Sequence, residues 1–258
     1  MIEKNEILQL AQSLSLSADT IEKDCVLGWM LNGINRHFLL SQKWLFKGGT
    51  SLKKCFFETF RFSEDLDFTL TDKKHFDADF LQKTFNEIAD DLYGETGIEF
   101  SKEMFKFKII PKPNGESSAQ LHIHYNGPLR RKQGVATIKL DLTSDEIVVL
   151  KPEKRKVHHS YSDEPKDGMW AICYAFEEVV AEKIRALSQR ARPRDVYDLT
   201  ENDVEGFKEI LKAHLETLNK EEIIKETGLS RRTLFRMLSP DGNPTLKNIS
   251  AIINKLCA

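Results

Sequence analysis

Apolar and polar positions alternate cleanly in several short stretches. In Leu66-Asp67-Phe68-Thr69-Leu70, the apolar side chains fall on one side and Asp67 and Thr69 on the other, the period of a half-buried strand. Gln120 to Tyr125 and Ala136 to Leu142 alternate in the same way, and Trp44-Leu45-Phe46 and Phe105 to Pro111 read as further strands. Helical spacing marks Ile7 to Leu16, Thr20 to Phe38 behind an N-capping Ser17, Leu52 to Phe57, Asp79 to Thr96 and Trp170 to Gln189. Pro193 suits the first turn of another helix running to Leu199. Asn114-Gly115-Glu116-Ser117-Ser118 and Asn126-Gly127-Pro128 are turn signals, and Lys151 to Gly168 reads as a charged loop. Beyond Thr200-Glu201-Asn202-Asp203 only helical patterns remain, roughly 204–217, 220–226, 230–238 and 245–256. The expectation is an α/β (α+β) domain over residues 1–203, its mixed sheet flanked by helices, followed by a small all-α domain over 204–258.

Composition narrows the class. The 258 residues are 40% apolar and 30% charged, the balance of a globular protein. A net charge of −2 excludes a wholly basic nucleic-acid coat. The charge is uneven, however. Residues 219–258 hold seven Lys and Arg against four Asp and Glu, a net of +3, which leaves −5 for the rest. The charged start Met1-Ile2-Glu3-Lys4 leads into no apolar segment, and no run approaches the ~18 apolar residues of a membrane span, so a cytoplasmic location is expected. Cys25, Cys55, Cys173 and Cys257 are far apart without a CxxC pair, which argues against a zinc site or a disulfide framework. The first three sit among apolar neighbours and read as core.

Three features of the first domain carry chemistry. Gly48-Gly49-Thr50-Ser51 forms a strand-to-helix turn without Cβ atoms at its first two positions. It is either an ordinary tight turn or a place where phosphate meets backbone N–H groups at a helix N-terminus. Asp65 and Asp67 are two apart and share a strand face, with a third carboxylate, Asp141, in the alternating strand Thr137 to Leu142. Such carboxylates either project into water or surround Mg²⁺ or Mn²⁺. Lys183 lies on or beside the apolar stripe Phe176, Val179, Val180, Ile184 and Leu187, where it needs either a nearby acid or an anionic ligand such as a triphosphate. Arg190, Arg192 and Arg194 fit either an RNA or nucleotide contact or an exposed helix start, and His158-His159 reads as a solvated loop pair.

The ordered set Glu22-Lys23-Asp24, Phe46-Lys47-Gly48-Gly49-Thr50-Ser51-Leu52, Arg61-Phe62-Ser63-Glu64-Asp65-Leu66-Asp67-Phe68, Lys139-Leu140-Asp141, Glu178 to Lys183 and Arg194-Asp195-Val196-Tyr197-Asp198-Leu199 resembles the AbiEii-type nucleotidyltransferases. These are toxins of abortive-infection and type IV toxin–antitoxin systems within the DNA polymerase beta-like superfamily. The resemblance covers roughly residues 20 to 200. It implies a nucleotidyltransferase fold and a nucleoside triphosphate held at Gly48, Gly49, Thr50 and Ser51. It further implies catalytic metal ligands at Asp65, Asp67 and Asp141, and Lys183 reaching the triphosphate. Asp195 and Asp198 match the family's last nucleotide-binding motif. A cognate antitoxin and transfer of NMP to an acceptor such as tRNA are implied as well.

The C-terminal part carries a second pattern. Glu221 to Leu238 reads as helix, turn and helix, with Gly228 in a positive-φ position and Ser230 as N-cap. Arg231 and Arg232 then occupy a first helical turn, where the dipole disfavours cations, and Arg236 lies one turn beyond Arg232. The segment resembles the C-terminal helix-turn-helix of addiction-module antidote proteins related to the HigA and Xre repressors. That resemblance places Arg231, Arg232, Thr233 and Arg236 on a DNA-reading surface. The combined expectation is a metal-dependent nucleotidyltransferase toxin. The alternative is a nucleotide-sensing, DNA-binding transcriptional regulator without transfer activity.

Overall fold

The computed structural model describes residues 2–58, 62–112, 116–130, 135–190, 224–225, 227–237 and 239. The chain divides into two compact units, Met1–Ala175 and Phe176–Ala258. The junction expected at 200–203 lies outside the described residues.

The first unit is built on one mixed sheet. Its strands are β1 (Trp44–Lys47), β2 (Asp65–Leu70), β3 (Glu99–Phe100), β4 (Lys106–Pro111), β5 (Ser117–Asn126), β6 (Ala136–Thr143), β7 (Glu153–Val157) and β8 (Met169–Cys173). They run in the order β3-β5-β6-β2-β1-β8-β7, with β4 also paired to β5. β2 is parallel to β6 and antiparallel to β1, so it lies mid-sheet with hydrogen-bonded neighbours on both sides. The alternation read from sequence is kept: Leu66, Phe68, Ile138, Leu140 and Leu142 are fully buried, while the intervening polar residues are mostly half-exposed.

Helices cover the apolar face. These are α1 (Lys4–Ser13), α2 (Ala18–Arg36) and α4 (Ala78–Thr96). Ser17 caps α2 by accepting from Thr20 N at 3.0 Å, as its sequence position predicts. Asp77 caps α4 in the same way through Phe80 N at 2.8 Å, and Gly97, at φ +70°, ends it. Leu81, Phe85, Ile88 and Leu92 form the buried stripe of α4, in one core with Trp44, Phe46 and Phe68. Cys25, Cys55 and Cys173 are buried free thiols, as expected.

Three expectations are corrected. Lys151 to Gly168 is not all loop, because Glu153–Val157 is the edge strand β7. Met169–Cys173 is strand β8, and the helix expected from Trp170 begins only at Phe176. Tyr174 N donates to the Phe46 carbonyl, which carries the sheet ladder past the end of β8 before the chain turns. The helix expected from Leu52 starts earlier, as α3 (Gly48–Ser51), and continues as a π-helical turn, Leu52–Phe56.

In the second unit, α5 spans Phe176–Arg190 and α6 spans Arg231–Met237. The helices expected over 193–199, 204–217 and 245–256 fall outside the described residues.

Candidate active site

Asp65 and Asp67 project from the polar face of β2, between core-facing Leu66 and Phe68. The parallel partner β6 sets Asp67 directly opposite Asp141, and Asp65 opposite Lys139. Residues paired across parallel strands share a face about 4.8 Å apart. The register therefore brings the three sequence-predicted carboxylates, which are up to 76 positions apart in the chain, onto one patch in mid-sheet.

Lys139 is the cation of that patch, and its ammonium donates to the Asp141 carboxylate. Partial burial pulls its pKa down, but the bond to Asp141 and the charges of Asp141, Asp65 and Asp67 outweigh this and hold it above the ordinary lysine value. A side chain 2 residues from Asp141 thus feels all three acids at once. This donor set suits a hard divalent cation: the ligands are all carboxylate oxygen, and they act together on a positive charge.

The glycine turn is locked against the same patch. Gly48 has φ +78°, a conformation L side chains rarely adopt, and a Cβ built there would overlap the Asp67 carboxylate. Thr50 Oγ1 donates to the Asp65 carbonyl, and Ser51 Oγ donates to the Gly48 carbonyl at 2.8 Å. Both side chains are buried; the Thr50 hydroxyl fastens the turn to β2, and the Ser51 hydroxyl closes the turn on itself. The groups of the turn that could meet a phosphate are then its backbone N–H groups.

A second charged group borders the carboxylates and was not singled out from sequence. Lys47, opposite Asp67 on β1, is almost fully buried and ion-paired with Glu146. Glu146 also accepts from Thr69 and from Thr143 (2.7 Å), and the Thr69 hydroxyl meets Tyr174 Oη at 2.6 Å. Burial would raise the Glu146 pKa, but Lys47 and the two threonine hydroxyls hold it below the usual glutamate value. One carboxylate thereby ties β1, β2 and β6 together at the rim of the patch.

The Glu22-Lys23-Asp24 motif braces the surroundings. Glu22 Oε1 accepts from Leu129 N at 2.7 Å, and Lys23 pairs with Glu64, just ahead of Asp65, at 2.8 Å. Asp24 forms a buried ion pair with Lys54 of the π-helical turn at 2.7 Å and accepts from Tyr161 Oη at 2.7 Å. Arg61, quoted in the β2 motif, lies outside the described residues.

A model of the family described as nucleotidyl transferase AbiEii toxin, Type IV TA system, matches residues 29–250. The chain belongs to that family. It is accordingly a nucleotidyltransferase, related to toxins whose systems include an antitoxin. No curated protein matches the chain. Among the described residues, no helix of this AbiEii-family protein is long and apolar enough to cross a membrane.

The other expected site residues of the AbiEii chain lie in the second unit. Lys183 is half-buried on α5, between Glu182 and Arg185 in the chain, which meet at 3.7 Å. Asp195 and Asp198, with Arg192 and Arg194, lie outside the described residues. At α6, Ser230 Oγ accepts from Thr233 N at 3.0 Å, so Ser230 is the N-cap the sequence predicts, and Gly228 has φ +67°. Arg231, Arg232 and Arg236 are exposed, and the Thr233 hydroxyl is engaged with Ser230.

His159 is not the solvated residue expected. Its side chain is fully buried, and Nε2 meets Asp163 Oδ1 at 3.0 Å. Cys25, His159 and Asp163 place ligand-type atoms within 4.8 Å of one another. Asp163 already accepts from Ile2 N (2.9 Å) and Trp29 Nε1 (3.1 Å) as well, so the cluster reads as a hydrogen-bonded tie.

Proposed function

We propose that this AbiEii-family enzyme transfers NMP from a nucleoside triphosphate to a hydroxyl at the end of an RNA such as tRNA, the new bond to the α-phosphorus replacing the bond to pyrophosphate, which leaves, with Mg²⁺ or Mn²⁺ held by Asp65, Asp67 and Asp141. The observation that carries the reading is the parallel register of β2 and β6, which sets Asp67 beside Asp141 with the Gly48 turn pressed against Asp67. When bound, the metal would neutralise phosphate charge and favour ionisation of the attacking hydroxyl. The turn's free N–H groups orient the phosphates, and the Asp141 carboxylate accepts the proton released by the acceptor hydroxyl. Lys183 supplies a point charge for the triphosphate, with Asp195 and Asp198 completing the nucleotide site. In the cell the product would be an inactivated RNA, and a cognate antitoxin would counter the activity.

The C-terminal part serves as a nucleic-acid contact. Its support is the exposed trio Arg231, Arg232 and Arg236 on an N-capped helix whose dipole leaves the first two cations in need of an anion. On this reading, Arg231, Arg232, Thr233 and Arg236 dock RNA for the enzyme or bind DNA in an operator.

Each labelled nucleoside triphosphate is incubated with Mg²⁺, total tRNA and the full chain, beside the Asp65→Ala/Asp67→Ala variant. Label appears on RNA with the parent protein and not with the variant, and chelation removes it. Absence of transfer to any RNA or protein, together with tight binding to a DNA operator, would replace the enzyme by the nucleotide-sensing regulator.

A further inference from the structure

The first unit contains a pocket of about 360 Å³ that none of the predicted site residues lines. Small-molecule sites run from roughly 300 to 1,000 Å³. Its walls are apolar: Leu10 and Leu14 from α1, Ile21 from α2, and Phe62 from the segment that enters β2. Glu58, His158, Ser160 and Tyr161 also line it, and two further charged side chains interrupt the apolar walls, Asp24 and Lys53.

Both have unspent hydrogen-bonding capacity. Asp24 is 4% exposed, and its Oδ2 takes the Lys54 ammonium and the Tyr161 hydroxyl. Its Oδ1 is buried with no donor among the described residues. A buried carboxylate oxygen left so costs free energy until an N–H or O–H reaches it. Lys53 is 9% exposed, and among the described residues its ammonium has one long contact, 3.4 Å to the Glu58 carbonyl, and lies 3.9 Å over the Phe62 ring. Burial, with the neighbouring Lys54 charge, lowers its pKa by more than Asp24 and Glu58 raise it. An ammonium can donate three hydrogen bonds, so at least one remains for a ligand acceptor.

An apolar slot with an aromatic ring, an open acceptor and a nearby open donor fits a flat heterocycle that offers a donor beside an acceptor. Every nucleobase carries that pair on its Watson–Crick edge. The pocket also adjoins the right chain segments. Lys53 follows the Gly48 turn within the same continuous helical segment, Phe62 lies three residues before Asp65, and Lys23 is paired to Glu64 between them.

We infer that the pocket between α1, α2 and Phe62 is a nucleobase-binding subsite, with Asp24 accepting from and Lys53 donating to the edge of the base. This rests on the nucleotidyl-transfer reading above and names a base subsite for it. The base belongs either to the triphosphate or to the end of the acceptor RNA.

The test uses the four ribonucleosides, which lack phosphates, and the full chain without metal. Binding is followed by calorimetry for the parent and for two variants. Leu14→Trp fills the slot from its rim, where Leu14 is half-exposed, so the core is untouched. Phe62→Ala removes the ring, and an unchanged melting temperature in either variant confirms folding. At least one nucleoside is expected to bind and to weaken about tenfold in both variants. Competition of that nucleoside with the triphosphate assigns the pocket to the donor nucleotide, and competition with RNA assigns it to the acceptor. Nucleoside binding that is the same in both variants overturns the subsite. So does an absence of nucleoside binding while Leu14→Trp transfers label with parent kinetics, a result that leaves the transferase reading intact. Loss of that reading would be seen separately, in the Asp65→Ala/Asp67→Ala control.

Discussion

At position 48 two constraints meet in a single residue. The backbone is in the left-handed region, and the space a side chain would take is filled by the Asp67 carboxylate. Gly48→Ala is expected to cost about 1–3 kcal/mol in stability. It should also lower transfer about a hundredfold, since displacing a reacting group by ~1 Å costs on that order. Gly94 is the internal control, because a Cβ there meets nothing within 4 Å in the last turn of α4. Gly94→Ala should raise stability by roughly 0.5–1 kcal/mol and leave transfer unchanged. Melting curves and single-turnover labelling separate the two, and equal behaviour of both variants would refute the Gly48 argument. The carboxylates themselves were legible in sequence, because a two-residue spacing on a strand admits one face. Their neighbours were not. Glu146 has no periodic pattern around it, and its partner Lys47 stands 99 positions away, so only the folded sheet shows the pair.

Among the elements, the contact between α2 and the π-helical turn rests on charge. Asp24 and Lys54 are both nearly inaccessible, and removing one leaves the other buried without its counterion. Asp24→Ala is expected to destabilise the protein by about 3–5 kcal/mol, whereas Asp24→Leu combined with Lys54→Met should recover most of that loss. Denaturant midpoints with unchanged slopes would show it. A double variant no more stable than Asp24→Ala would mean that the acid is needed for more than pairing. The elements differ in how legible they are in the sequence, for physical reasons. β2, β5 and β6 have one wet face and one dry face, so alternation reveals them. β7 is an edge strand, and its run Lys154-Arg155-Lys156 is the charge that blunts an edge, which made it look like loop. β8 runs into α5 across Tyr174-Ala175 without a Gly or Pro, so the helical period of α5 was extended backwards over it.

For the whole first unit, acid is the informative perturbation. Asp163 ties the N-terminal segment, α2 and the loop after β7 together through Ile2, Trp29 and His159. Burial would raise its pKa, yet the bonds to His159, Ile2 and Trp29 leave it below the usual aspartate value. The unfolded chain therefore binds a proton at this site at higher pH than the folded one does. The stabilisation is complete above the unfolded value of about 3.9 and disappears as pH falls through the lower folded value. Unfolding free energies measured from pH 6 downward should decline below about pH 4, and Asp163→Asn should flatten that limb. An identical decline in the variant would assign it to other carboxylates. The place of the carboxylate patch in the sheet has one more consequence. Asp65, Asp67 and Asp141 stand on strands with backbone partners along both edges, whose amide hydrogens are expected to exchange last with solvent. An inhibitor that worked by loosening these strands would have to oppose most of the unit's folding free energy. Covering the open face of the sheet is the far cheaper way to silence the enzyme.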